Sequence, residues 1–256
     1  MKSWTNLSYA NVATTSPAAH KASMEWSDAL ARGGAAEFDG EAEKNAMMPL
    51  RRAAARLLSC EVADVCVGSS ATELLCSLAW AVSPSGGSNI VSTRTAFPST
   101  VYPWSRVAEA NGAKIRLANH DEELYTNPDD ILDLIDEATS VVTLSHVEYS
   151  TGQRYDLRRF ADAAHSVGAL LVVDASQSMG MVPIDAVSSG ADAIVSSGYK
   201  WLRGTYGAAV AYISPEIRGD LNPGLLGFRS HVDIWDLRAD RMELPDDASR
   251  FEYTTI

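Results

Sequence analysis

Two short apolar runs, Ala169 to Val173 and Ala191 to Val195, are rich in β-branched residues and bounded by Gly or Asp, the pattern of strands buried on both faces of a parallel sheet. Helix-like and strand-like stretches alternate around them. A helical pattern runs from Pro17 to Leu30 and another from Glu41 to Leu58. Val65 to Val67 then leads into a helix over Ala71 to Val82, and Ile90 and Val91 into Thr100 to Asn111. Lys114 to Ala118 precedes a helix near Pro128 to Glu137, Val141 to Leu144 leads to Leu157 to Ser166, and Ala169 to Val173 leads through the Asp185 region to Ala191 to Val195. Such alternation predicts βαβ units and an α/β fold with a mostly parallel sheet sandwiched by helices. The run Ala208 to Ile213 follows too soon for a crossover helix, so it is expected to enter the sheet antiparallel. Residues 1–16 read as an N-terminal arm and 17–256 as one large domain, with Asp121 to Glu123 and Asn127 to Asp130 as solvated surface.

Composition narrows the function classes. The chain has 256 residues, 46% apolar and 21% charged, and no apolar run approaches the ~20 residues that span a bilayer. A membrane protein is not expected, and the start has no apolar core region of a secretory leader, so a cytoplasmic location is. The formal net charge of −12 argues against nucleic acid as a partner. Cys60, Cys66 and Cys76 form no C-x-x-C pair and have no histidine at zinc-finger spacing, so buried free thiols and no metal site are expected.

The chemistry gathers at strand ends, where an open α/β sheet presents its ligand crevice. Asp174 and Lys200 each lie just past an apolar run. A carboxylate and an amine so placed suit a pyridine-ring cofactor held as a Schiff base: lysine forms the imine, and the acid keeps the ring nitrogen protonated. For Lys200 the competing reading is a surface lysine, disfavoured by the uncharged Ser-Ser-Gly-Tyr before it and Trp201 after it. For Asp174 it is an N-cap. Ser70-x-x-Glu73 reads as a capping box that opens a helix after a strand, leaving the N–H groups of Ala71 and Thr72 at a positive dipole end able to cradle a phosphate.

The segments DASQS, SSGYKW and GTYGAAVAYIS, in that order, resemble the class V aminotransferase family of pyridoxal-phosphate enzymes, which includes cysteine desulfurases, kynureninases and isopenicillin N epimerase-like proteins. The likeness runs from about Leu7 to the last residue and is most specific from Val141 to Ile213. It implies a fold type I large domain, the cofactor pyridoxal 5'-phosphate, an amino-acid substrate, a homodimer, and lyase, transaminase or epimerase chemistry. It also implies further site residues: Gln177 on the cofactor's phenolic side, Phe97 over its ring as in the kynureninase branch, hydroxyls from Ser99 and Thr100, and Ser197 with Tyr199 beside the phosphate.

Two departures favour the kynureninase branch over the desulfurases. Tyr199 stands where desulfurases carry histidine, and Tyr149 where they carry asparagine, in a loop Tyr149-Ser150-Thr151-Gly152-Gln153 that matches the Y-x-T-G-Q of kynureninase. A desulfurase's nucleophilic cysteine lies downstream of its lysine, whereas all three cysteines here lie upstream. His146 is read as a structural or hydrogen-bonding residue, and His20, His120, His165 and His231 as surface or loop positions. Phe228, in GLLGFRSH, resembles a residue lent across the dimer. The family's small C-terminal domain, with its arginine for the substrate carboxylate, is expected to be missing, since the sequence ends about where it should begin. The rival class is therefore a cofactor-fold protein without turnover, a binding partner or a remnant. A nicotinamide enzyme is disfavoured, because no G-x-G-x-x-G follows the first strand.

Overall fold

The computed structural model describes residues 5–256. Helix α1 (Pro17–Gly33) starts at Ser16, whose hydroxyl accepts from the Ala19 N–H at 3.1 Å. The expected helix from Glu41 to Leu58 is instead two, α2 (Gly40–Asn45) and α3 (Met48–Leu58). Pro49 explains the break, because proline is tolerated in the first turn of a helix but lacks the N–H that an interior position needs.

The sheet elements follow in alternation: β1 (Val65–Gly68), α4 (Ala71–Val82), β2 (Asn89–Thr93), α5 (Pro98–Asn111), β3 (Lys114–Ala118), α6 (Pro128–Leu132) and β4 (Thr139–Ser145). Then come α7 (Leu157–Ser166), β5 (Leu170–Asp174), α8 (Ala186–Ser189), β6 (Ala193–Ser197), β7 (Ala209–Ile213) and α9 (Pro215–Arg218). Helix α6 stops well short of the expected Glu137. Asp136 accepts from the Ala138 N–H at 3.0 Å and from the Asn89 amide at 2.8 Å, a local side-chain turn that competes with helix.

The strands lie in the order β1-β7-β6-β5-β4-β2-β3. Only β7 runs antiparallel, to both its neighbours, as its short connection requires. Alternation of side chains explains the uninterrupted apolar runs. Leu171 and Val173 pack with Leu58, Phe160 and Ile194 on the α3–α7 face, whereas Val172 packs with Leu75, Trp104 and Val195 on the α4–α5 face. With both faces covered, β5 stays apolar at successive positions until it ends at Asp174. Period two then turns Asp174 and Ser197 toward the α4–α5 face.

The C-terminal stretch has little regular structure and is pinned by buried polar contacts. The Arg250 guanidinium donates to Pro245 O at 2.9 Å, Gly219 O at 2.8 Å and Leu221 O at 3.0 Å. Glu252 accepts from the Val67 N–H at 3.0 Å, covering the edge of β1. His231, expected at a surface or loop position, lies in a loop and is buried there, its Nδ1 accepting from the Asp233 N–H at 2.9 Å. Of the three thiols only Cys66 is fully buried. Among the described residues no helix is long and apolar enough to cross a membrane, and no cluster of metal-ligating side chains occurs.

Candidate active site

At the C-terminal ends of β5 and β6, chain direction and side-chain parity bring a carboxylate and an amine to one side of the sheet. Asp174 is 6% exposed, and both its oxygens are engaged: Oδ1 accepts from the Ser176 N–H at 2.9 Å and Oδ2 from the Thr100 hydroxyl at 3.0 Å. Asp174 thus opens a side-chain-to-backbone turn while α5 holds it from the side. Lys200 is 8% exposed. Burial lowers the affinity of its amine for a proton, an effect that the Asp174 charge opposes.

The turn carrying Lys200 is tightly stitched. The Gly198 N–H donates to Ala208 O at 2.8 Å, the Gly204 N–H to Gly198 O at 2.8 Å, and the Arg203 N–H to Lys200 O at 2.9 Å. Tyr199 stacks on Tyr206 with ring centroids 4.3 Å apart, and its hydroxyl is pushed up by burial, Tyr206 and Asp174. The N-terminal arm lies along the same turn, the Ala13 N–H donating to Tyr199 O at 3.2 Å and the Ser16 N–H to Arg203 O at 2.9 Å.

Helix α4 starts opposite. Ser70 caps it by accepting from the Glu73 N–H at 3.1 Å. The return bond of the expected capping box goes elsewhere: Glu73 accepts from the Ser69 N–H at 3.0 Å and from Tyr253 at 3.0 Å. The N–H groups of Ala71 and Thr72 still stand in the first turn, where a helix offers no internal acceptor. Thr72 and Ser99 share a 2.8 Å hydroxyl bond that joins the starts of α4 and α5. Phe97, just before α5, is 39% exposed and so not a core residue. Its ring meets Tyr149 edge-on at 5.3 Å, and the Lys200 Nζ lies 5.2 Å from its centroid.

One concavity is lined by Ser70, Ala71, Thr72, Phe97, Ser99, Asp174, Ser197, Tyr199 and Lys200, nine of the eleven residues expected from sequence. Thr100 stands behind them, bonded to Asp174. Gln177 lies outside, donating to Ala10 O at 2.8 Å and accepting from the Trp201 indole at 2.8 Å. A larger hollow of about 530 Å³ beside His146, Arg154 and Ile184 has no such convergence of groups. His146 lies there with its Nδ1 buried and unpaired, its ring held neutral by burial, which lowers it to about 4. Sequence reasoning missed Ser176, although an Asp followed two residues later by a hydrogen-bonding N–H is an Asx-turn signal. It also missed Tyr206 and the buried Glu148.

A pyridoxal-phosphate group fits these residues. The Ser197 hydroxyl is buried on the concavity without a hydrogen-bond partner, which is unfavourable unless something binds there. A desolvated amine, a fully engaged carboxylate and an open helix start complete the donor and acceptor set that such a cofactor needs.

Mostly parallel sheet, covering helices and strand-end site together define the large domain of the fold type I pyridoxal-phosphate enzymes. The apo structure of a cysteine desulfurase from Thermococcus onnurineus NA1 superposes with a TM-score of 0.73 at 26% identity, over 80% of this chain and 51% of that one. The cystine C-S lyase C-DES, in complex with cysteine persulfide, superposes with a TM-score of 0.85 at 21% identity, over 96% and 66%.

The chain belongs to the aminotransferase class-V family, whose profile matches residues 12–253. It is 33% identical over 170 residues to a probable cysteine desulfurase of Methanothermobacter thermautotrophicus, covering 66% of this chain and 42% of that protein. To the kynureninase of Deinococcus radiodurans it is 32% identical over 222 residues, covering 84% and 52%. The family is pyridoxal-phosphate-dependent. This chain spans between about a quarter and about half the length of the curated relatives it matches.

Proposed function

We infer that this chain is the cofactor-binding part of an enzyme that uses pyridoxal 5'-phosphate on an amino acid by lyase, transaminase or epimerase chemistry. The observation that carries the reading is the meeting of the buried Lys200 amine, the buried Asp174 carboxylate and the start of α4 on one concavity, where the Ser197 hydroxyl has no partner. Bound there, the cofactor supplies an electron sink for charge left at the substrate α-carbon.

The roles follow from the groups. The N–H groups of Ala71 and Thr72, with the hydroxyls of Ser70, Ser197 and Tyr199, hold the phosphate at the positive end of α4. Asp174, oriented by Thr100 and the Ser176 N–H, would be the acid that keeps the ring nitrogen protonated. Phe97 would supply an aromatic surface for the ring, such contacts contributing about 0.5–1.5 kcal/mol beyond area burial. Lys200 would be the residue that holds the group and the base for the proton at the substrate α-carbon; desolvation favours the neutral amine that both roles need. Gln177, whose amide donates one N–H to Ala10 O, would keep its second N–H for the phenolic side.

Tyr199 and Tyr149 favour the kynureninase branch, and the thiols agree with them. Burial, followed by Asp64, raises Cys60 to about 12, and burial followed by Glu73 raises Cys76, so neither is poised as a thiolate nucleophile. The reading includes a cytoplasmic, symmetric homodimer, supported by exposed apolar side chains at Leu225, Leu226, Phe228, Val232 and Trp235; a monomer by light scattering removes that part. The deciding experiment adds pyridoxal phosphate to wild type and to Lys200→Ala. Wild type should gain the near-visible absorbance of the lysine-bound cofactor and Lys200→Ala should not; equal spectra refute the assignment. The second reading is a cofactor-fold protein without turnover. A wild-type spectrum unmoved by a panel of amino acids would select it.

A further inference from the structure

Glu148 sits three residues past the end of β4 and outside every role given above. It is 1% exposed. Its Oε1 accepts from Thr93, at the end of β2, at 3.1 Å and from Thr95, two residues on, at 3.3 Å. Its backbone opens a tight hairpin, the Glu148 N–H donating to Gln153 O at 2.8 Å and the Gly152 N–H to Glu148 O at 2.9 Å. Gln153 fastens the far side of that hairpin, accepting from the Thr126 N–H at 3.0 Å and donating to Thr126 O at 2.6 Å. The two segments that Glu148 joins each carry one ring of the aromatic pair beside Lys200: Phe97 follows Thr95, and Tyr149 follows Glu148.

We propose that Glu148 is a positioning residue of the Lys200 site: by tying the end of β2 to the hairpin it opens, its carboxyl sets the spacing of Phe97 and Tyr149 and so fixes the aromatic wall against which the lysine amine lies. The importance of that wall to a cofactor rests on the function inferred above, whereas the tie between the two segments does not.

The joint is sensitive to one proton. Glu148 Oε2 and the Tyr155 hydroxyl are both buried without a partner within bonding distance. The groups facing the carboxyl are Thr93 at the end of β2, Thr95 two residues on, Tyr155 from the segment before α7 and Asp174 from β5. Burial first, and Asp174 last, push Glu148 up to about 7, and burial with Glu148 pushes Tyr155 up as well. As a neutral acid, Glu148 accepts from the threonines through Oε1 and has a proton on Oε2 to offer toward Tyr155. As an anion it still accepts from the hydroxyls, but it is a desolvated charge and a second negative one near Asp174. The wall should therefore loosen as pH rises through about 7.

Glu148→Gln isolates the effect, because the amide keeps an acceptor for the threonines and a donor toward Tyr155 yet does not titrate. Hydrogen exchange of the cofactor-free protein is followed by mass spectrometry on peptides spanning 94–99 and 148–153, corrected for intrinsic rates, between pH 6 and 8.5. Wild type should lose roughly tenfold in protection in both peptides, the equivalent of one such hydrogen bond, while Glu148→Gln stays flat and Glu148→Ala is unprotected throughout. Parallel pH profiles in wild type and Glu148→Gln, or an unaltered Phe97 peptide in the alanine variant, overturn the tie. A parallel titration with pyridoxal phosphate separates the two layers. Retention of the lysine-bound absorbance should weaken above pH 7 in wild type and not in Glu148→Gln; identical profiles overturn the link to Lys200. No absorbance in any protein, with the exchange pattern as expected, removes the cofactor reading and leaves the tie standing.

Discussion

Gly198→Ala tests whether the turn that presents Lys200 is as rigid as its contacts imply. A Cβ built at Gly198 lies 2.7 Å from Ala208 O, the same oxygen that accepts the Gly198 N–H at 2.8 Å. That atom is backbone of the residue that leads into β7 and cannot swing aside, so the turn must open by several tenths of an ångström. Overpacking of this kind costs ~1–3 kcal/mol, and stretching the bonds at either side of Gly198 adds ~0.5–1.5 kcal/mol. The sum is about 2–4 kcal/mol, which for a chain of this size lowers the melting temperature by roughly 5–15 °C. Gly207→Ala is the control: its φ is +85° with nothing within 4 Å of the added carbon, so it costs only the ~1–2 kcal/mol of a left-handed residue and leaves Lys200 in place. Circular dichroism melts, with the absorbance of added pyridoxal phosphate, give both readouts. Gly198→Ala should lose more stability than Gly207→Ala and bind cofactor more weakly at a temperature where both remain folded. If Gly198→Ala melts within about 2 °C of wild type, the turn is soft and the rigidity argument fails.

Two other expectations follow from buried acids. Thr100→Val removes the side-chain donor to Asp174 Oδ2; a hydrogen bond to a charged group contributes ~1.5–3 kcal/mol, so cofactor affinity should fall by roughly tenfold or more, and an unchanged fluorescence titration would exclude Thr100 from orienting the acid. Glu252 is raised from 4.5 to about 7, chiefly by burial. Between those values the folded state holds a proton that the unfolded state has released, so this group's contribution is fully present below about pH 4.5 and is lost as pH rises to 7, by about 3 kcal/mol. Glu252→Gln should flatten that part of a urea-midpoint profile between pH 5 and 7.5; an identical slope in the variant would contradict the protonated state.

How much of the fold could be read in advance depends on whether the signal is local. Helices α4 and α7 begin where expected because Ser70 and Asp156 supply side-chain acceptors to the first turn and an apolar stripe follows. The antiparallel entry of β7 was legible because the gap after Lys200 has no room for a helix. Its pairing with β1 was not, since Val65 and Tyr212 meet only once the chain has closed. At α2 and α3 the apolar period runs through Ala46 and Met47 without interruption, and only the missing N–H of Pro49 divides it. At α6 the competitor was Asp136, whose turn depends partly on Asn89 in another strand.

The site divides along the same line. Asp174 was legible because it ends a buried strand, where parity decides the face it meets, and Lys200 because it follows one closely, whereas Ser197 was read only from the family resemblance. Ser70 to Thr72 could be recognised because a cap is a local device. Gln177 carried no signal of its engagement with Ala10, a contact between residues 167 positions apart, and the same holds for Glu148, whose burial exists only because Thr93, Thr95 and Tyr155 arrive from other elements. Sequence therefore exposes the groups that touch a ligand at strand and helix ends more readily than those that hold such groups in place. That asymmetry locates the next question in the second set: whether the Glu148 tie and the Gly198 turn, neither of which reaches the concavity, control how Lys200 meets its cofactor.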